Sequence, residues 1–327
     1  MKAFLLAAGG FLALTAALLF ACVVFGGPVH PEGRSAIVDA FEDAAIEPPP
    51  LRRFSARDGV ELAYRYLLAE RLLRGSVVLV HGSGGDSHGM VRLAQALAEA
   101  GFATYALDIC GRGASGWRGR IDYVGQLEDD LADFLAAVQP EAPCLLAGFS
   151  SGGGFALRVA AGPGAAAFDE YLLLAPFVGH DAPTYRPGGG GWVRVGVPRL
   201  VALHLLDGFG IRALHHLPVL RFAVGDARGL TPSYGFRLAS NFRPRADWRS
   251  EVAAAAAPMQ VLVGADDGVF VPDAFAEAFA RTGAADIPVQ QVPRVDHAGL
   301  VLQADARRTA VEAAAALLSA LPRARAD

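Results

Sequence analysis

Five short, unbroken apolar runs constrain this chain more than any other feature: residues 76–80, 103–107, 144–147, 171–175 and 260–263. Runs of this length without polar alternation fit parallel strands covered on both faces. Helical patterns lie between them. Leu127, Leu131, Phe134, Leu135 and Val138 share one helical face, with Pro140 just past the end. Residues 90–100 form a second helical pattern, closed by Gly101 where a left-handed cap is needed. Ahead of these, Arg57-Asp58-Gly59 is a turn signal followed by Val60, Leu62, Tyr64 and Tyr66 at period two, which predicts a hairpin at a sheet edge. Repeated strand–helix units predict an α/β fold with a doubly wound, mostly parallel sheet. Right-handed crossovers in such a sheet gather active groups at the C-terminal ends of the strands.

The N-terminus is separate. Residues 3–27 carry no charge, and roughly 20 apolar residues suffice to span a bilayer. Lys2 precedes the run, whereas Glu32, Asp39, Glu42, Asp43 and Glu47 follow it, diluted by Arg34. That asymmetry places the N-terminus in the cytoplasm and the body outside. Residues 1–28 are thus read as a membrane anchor, with a cleaved signal peptide as the rival; the latter leaves a secreted or periplasmic protein. Leu19-Phe20-Ala21-Cys22 faintly resembles a lipobox, which Phe20 and the apolar Val23-Val24-Phe25 fit poorly. Residues 29–50, rich in proline and acids, are read as a linker. The body begins near Leu51.

Composition excludes some classes. The net charge of -4 from 29 basic and 33 acidic residues shows no basic face for nucleic acid. Lys2 is the sole lysine, a bias of composition rather than of function. Cys22, Cys110 and Cys144 form neither a CxxC pair nor a disulfide framework. His215-His216 has no acidic partner at metal-ligand spacing, so no metal and no cofactor is called for.

The chemistry centres on Gly148-Phe149-Ser150-Ser151-Gly152, which follows one apolar run and precedes a helical pattern. This is G-x-S-x-G in a strand–turn–helix setting. The turn is so tight that Ser150 takes strained backbone angles, and its neighbours two residues away must be glycine. A serine alcohol needs a base. His297, in Val295-Asp296-His297-Ala298-Gly299 after the expected strand 289–292, is the candidate among eight histidines. The imidazole in turn needs an acid to fix its tautomer. Asp266 and Asp267 both follow the run 260–263; Asp267, three residues after Gly264, is preferred. In His81-Gly82-Ser83-Gly84-Gly85 the amide of Ser83 can join that of Ser151 to bind a tetrahedral oxyanion, where one donor contributes about 10²–10³ in rate. The loop lacks the Lys of a phosphate-binding loop. His81 is read as a brace for it.

These motifs, with Asp108-Ile109-Cys110-Gly111-Arg112-Gly113-Ala114-Ser115, resemble the α/β-hydrolase superfamily over about residues 51–321, most closely the monoacylglycerol lipase/lysophospholipase branch grouped with serine aminopeptidase-like hydrolases. That branch usually reads D-x-R-G-H-G-x-S at the last motif; here Cys110 replaces the Arg and Arg112 the His. The resemblance implies an α/β-hydrolase core over 51–177 and 258–327, with a cap inserted over 178–257. More than 80 residues separate the last two central runs, far more than a usual connection. Gly188–Gly191 reads as a flexible run, and Trp192, Val193, Leu200, Val201, Leu203, Leu205, Leu206 and Phe209 supply apolar surface for a lid. The implied function is a serine esterase acting on small-molecule or lipid esters, of acylglycerol or lysophospholipid type. The same residues serve an amidase or an acyltransferase, and a vestigial triad would leave a membrane-tethered binding module.

Overall fold

The computed structural model describes residues 1–320 except 226, 228, 246, 256 and 281–286; the C-terminal end expected of the core, 321–327, lies outside the described residues. The chain opens with an apolar helix, α1 (Lys2–Phe25), and a short amphipathic one, α2 (Ala36–Asp43). The hairpin β1 (Leu51–Ser55) and β2 (Glu61–Leu67) leads to β3 (Gly75–Val80), α3 (Val91–Glu99), β4 (Phe102–Leu107), α4 (Gln126–Val138), β5 (Cys144–Phe149), α5 (Ser151–Ala160) and β6 (Glu170–Leu174). A second layer follows: β7 (Val193–Val195), α6 (Val197–Gly208), β8 (Pro218–Phe222), β9 (Ser233–Gly235), α7 (Phe236–Asn241) and α8 (Trp248–Ala254). The core then resumes with β10 (Met259–Gly264), α9 (Ala274–Ala280), β11 (Val289–Val292), α10 (Gly299–Leu302) and α11 (Ala304–Ala320).

The core is an eight-stranded sheet of order β1-β2-β4-β3-β5-β6-β10-β11. Only β2 runs against the other strands, antiparallel to both β1 and β4. This is the α/β-hydrolase fold. Strands β3, β4, β5 and β6 are buried along their whole length, as unbroken apolar runs require. From β3 the chain steps outward to β4 and then returns across to β5 on the other side. Loops leaving β3 and β5 therefore diverge, and a crevice opens between them at the strand ends. The hairpin closes one edge with an aromatic cluster: the Phe134 ring of α4 meets Phe54, Tyr64 and Tyr105 at 5.6, 5.4 and 5.7 Å.

The smaller sheet, β7-β8-β9, is antiparallel. Gly188–Gly191 is not loose: all four have positive φ and form a tight turn against Gly268 and Val269. The stretch expected as a linker holds α2, capped by the Ser35 hydroxyl and buried at Val38. The apolar window Ala8–Phe25 is long enough to cross a membrane and is barely covered by the rest of the chain. The C-terminal end of α1 is tied to α6: Arg199 donates to the carbonyls of Val23 (2.7 Å), Val24 (2.9 Å) and Pro218 (2.9 Å). A cation there satisfies orphan carbonyls and opposes the helix dipole.

Two core carboxyls titrate against the fold: Glu170 on β6, which burial and then Asp169 push up to about 7, and Asp130. Asp130 on α4 is buried, and one carboxylate oxygen lacks a partner. Burial, then the nearby Asp58, Asp133 and Asp129 charges, push it up to about 8. Its unfolded value is about 3.9, so between those values the folded state binds more protons and stability falls as pH rises. Asp130→Asn should flatten this decline and raise the midpoint of thermal unfolding at pH 8 relative to wild type, read by calorimetry across pH 5–9.

Candidate active site

Ser150 leaves the end of β5 with φ 55° and ψ -118°, a region costly for a residue with a side chain. The turn is held from several sides. The Ser150 amide donates to the Leu174 carbonyl at 2.8 Å, and the Ser150 carbonyl accepts from Gly154 (3.1 Å) and Phe177 (3.0 Å). A Cβ on Gly148 would lie 2.1 Å from the Gly152 carbonyl oxygen, and one on Gly152 would lie 2.4 Å from that of Val80. Strands β3 and β5 and helix α5 thus approach more closely than any side chain permits.

His297 lies in the loop between β11 and α10 and is buried. Its Nδ1 donates to Asp267 Oδ2 at 2.8 Å. The other carboxylate oxygen, Oδ1, accepts from the amides of Val269 (2.7 Å) and Phe270 (2.9 Å). Burial alone would raise this carboxyl, but the His297 imidazole and the two amides outweigh it and hold Asp267 below the usual range. Asp266 points away and is exposed. With Nδ1 committed as donor, Nε2 of the neutral ring carries the lone pair. The ring is set by Phe149 and Phe270, at 4.8 and 5.3 Å.

The loop after β3 faces the turn. Ser151 Oγ lies 3.1 Å from Ser83 Oγ, and Trp192 Nε1 reaches Ser83 Oγ at 3.5 Å. Among the described residues no hydrogen bond occupies the amide of Ser83 or of Ser151. Gly84 donates to the Tyr234 hydroxyl at 2.8 Å, which ties this loop to β9. Behind it the fully buried Arg112 stacks on the Tyr234 ring at 3.6 Å. Asp108 accepts from the amides of Ser87 (2.7 Å) and Ala114 (2.8 Å), clipping both loops to the sheet. His81 bonds through Nδ1 to the Gly82 carbonyl at 2.8 Å; burial lowers it to about 4, so it is neutral at pH 7. Cys110 is buried and accepts weakly from Gln126; burial pushes its thiol up to about 12, which makes it inert.

Ser150 and His297 line one cleft of about 160 Å³ with Ile37, Phe41, Met90 and Phe149. A second pocket of about 60 Å³ shares Ser83, Ser150 and Trp192 with it and extends to Tyr185, Phe222, Arg243 and Phe270. The sequence reading missed the contributions of α2, Tyr234 and Arg243. For α2 a signal existed: Ser35 precedes Ile37, Val38 and Phe41 at helical spacing. Nothing local marks Tyr234 or Arg243.

A serine on a strained strand-to-helix turn, an Asp–His pair and two free amides beside one cleft define the class of serine hydrolases. The pattern of the serine aminopeptidase S33 family matches residues 72–301. The chain belongs to that family and is a serine hydrolase. No curated protein sequence gives a match. Among solved structures, a soluble variant of monoglyceride lipase from Saccharomyces cerevisiae in complex with a substrate analogue is similar, with TM-score 0.60 and 19% identity over 84% of this chain and 96% of that one. A bacterial membrane phospholipase A is similar at TM-score 0.54 and 18% identity, covering 97% of this chain and 99% of that one. A monoacylglycerol lipase from Paleococcus ferrophilus gives TM-score 0.57 and 17% identity over 78% and 98%.

The close approach at the turn has a direct consequence. Gly152→Ala must displace the backbone of β3 or α5, so it should destabilise the protein by about 1–3 kcal/mol or more and abolish turnover. Thermal unfolding and esterase rates measured on the same preparation check both.

Proposed function

We propose that the chain is a membrane-anchored carboxylic ester hydrolase in which Ser150 is the nucleophile, His297 the base and Asp267 its orienting acid. The observation that carries this reading is the 2.8 Å bond from His297 Nδ1 to Asp267, beside the cleft that His297 shares with Ser150. Ser150 Oγ attacks the ester carbonyl carbon while its proton passes to His297 Nε2. The amides of Ser83 and Ser151 hold the oxyanion. The carbon–oxygen bond to the alcohol then breaks, and His297 returns the proton to the leaving oxygen. Water, deprotonated by His297, attacks the acyl-enzyme and releases the acid and free Ser150. No step needs a cofactor.

The substrate class follows from the walls. The larger cleft is apolar, and much of one side comes from Ile37, Val38, Phe41 and Ile46, ahead of the family match at 72–301. The Phe41 ring packs on Gly89, whose added Cβ would meet it at 3.3 Å, and sits 6.4 Å from the Phe149 ring. A hydrocarbon arm of a lipid ester fits such a groove. Several features support work at a membrane surface. Helix α1 is apolar and barely covered, and α6, tied to it through Arg199, exposes Val197, Val201 and Leu205 on one stripe, with Phe209 and Ile211 beyond. The excess of acids after α1 and Lys2 before it orient the body outside the cytoplasm.

Ser150→Ala should lower kcat by about 10⁶ on p-nitrophenyl esters, as expected for groups acting as a unit, and should abolish fluorophosphonate labelling. Retention within tenfold means another nucleophile. Matched amides, and added glycerol as acyl acceptor, separate the amidase and acyltransferase outcomes. Phe41→Trp should shift the optimum of an acyl-length series to shorter chains; an unchanged optimum removes α2 from the acyl site.

A further inference from the structure

The second pocket holds a cation that, among the described residues, has no direct ion pair. Arg243 follows α7 and lines this pocket together with Ser150, Ser151 and Trp192. Among the described residues, no hydrogen bond and no carboxylate within 4.0 Å engages its guanidinium. The nearby acids are already used. Asp181 pairs with Arg249 at 3.2 Å, Glu128 with Arg158 at 2.5 Å, and Glu251 accepts from the Arg245 amide at 2.9 Å and pairs with its guanidinium. Burial, and then the Arg158 cation, lower the affinity of Arg243 for its proton, only partly offset at a distance by Asp181, yet at neutral pH a guanidinium keeps its charge. A partly desolvated cation that faces a cavity and lacks a partner is costly unless something else supplies the negative charge. Apart from Arg243 the walls are mostly aromatic and aliphatic, among them Val193, Leu220, Phe222, Phe242 and Phe270, so an anion entering there would depend on Arg243 in a poorly solvating setting. Tyr185 and His180 also line it, and His180 sits edge-on to Phe177 and Tyr185, each at 5.0 Å between ring centroids.

We infer that this pocket binds an anionic group carried by the substrate, with Arg243 as its counter-ion, so that the favoured substrates are esters with a phosphate or carboxylate on the arm opposite the hydrocarbon chain. This rests on the ester-hydrolase reading and divides the two cavities between them. The cleft of about 160 Å³ takes the apolar arm, the pocket of about 60 Å³ takes the charged one, and Ser150 and Trp192 line both. A planar guanidinium presents paired N–H donors that match either anion. Arg243 does not touch the scissile bond in this scheme; it selects and positions the substrate.

The test compares esters of one acyl chain, a lysophosphatidylglycerol against a monoacylglycerol, and O-lauroylglycolate against ethyl laurate, using full-length protein in detergent. Wild type should favour the anionic member of at least one pair; which pair responds tells phosphate from carboxylate. In Arg243→Met the anionic-to-neutral ratio of kcat/KM should fall about 10- to 100-fold, the range for a hydrogen bond to a charged group, and Arg243→Lys should restore part of it. Calorimetric binding of dodecyl phosphate, with dodecanol as control, gives a readout independent of turnover; the same Met variant should weaken the phosphate at least tenfold and leave dodecanol unchanged. A ratio and a dodecyl phosphate affinity that both stay within twofold of wild type overturn the proposal. Anion binding that depends on Arg243 without hydrolysis of any ester sinks the ester reading alone. Hydrolysis without anion preference or anion binding sinks this proposal alone.

Discussion

The turn at Ser150 is the constraint on which the remaining geometry depends. Its positive φ is sustained because three elements close on it: the Leu174 carbonyl takes the Ser150 amide, and the glycines on either side let β3 and α5 come within contact of the β5 backbone. A strained residue survives only where its surroundings over-determine it. The same closeness fixes how far the loop after β3 stands from the first amide of α5. It brings Ser83 and Ser151 side by side at 3.1 Å between their hydroxyl oxygens.

Around that centre, polar groups are placed by long-range packing rather than by local sequence. The loop after β3 is held to the second layer by Gly84 on Tyr234, and Tyr234 is backed by Arg112. Arg112 stands where relatives of the lipase branch carry histidine. A flat cation stacks on an aromatic face. Among the described residues its three nitrogens find no hydrogen-bond partner, so the ring contact is what the structure offers it. Asp267 shows the opposite balance: every oxygen of a buried carboxylate has a donor, and the charge is retained.

The N-terminal segments are bound into this arrangement. Arg199 joins the end of α1 to α6, and the chain then runs through α2 along the cleft. His88 and Arg92, on the far side of the same cleft, reach the carbonyls of Ile46 and Ala44. A segment rich in proline and acids reads as a spacer when only its composition is considered. Ser35 as cap and Ile37, Val38 and Phe41 on one face make it a wall.

How much was legible follows from the range of the forces involved. The unbroken apolar runs became β3, β4, β5, β6 and β10, because burial on both faces leaves its mark residue by residue. The hairpin, the Gly-Phe-Ser-Ser-Gly turn and the strand 289–292 were equally local. The choice between Asp266 and Asp267 was only leaned toward in the sequence, since both follow β10; the fold turns one to His297 and the other to solvent. Gly188–Gly191 read as loose because glycine permits many backbones, while packing against Gly268 selects one. The sequence by itself determined the alternation of elements, the tight serine turn and an apolar N-terminal helix, each written in contiguous residues. Only the tertiary structure decided that Phe41, Trp192, Tyr234 and Arg243 surround one serine, because cavities and unpaired charges arise between segments distant in the chain, where no sequence period records them.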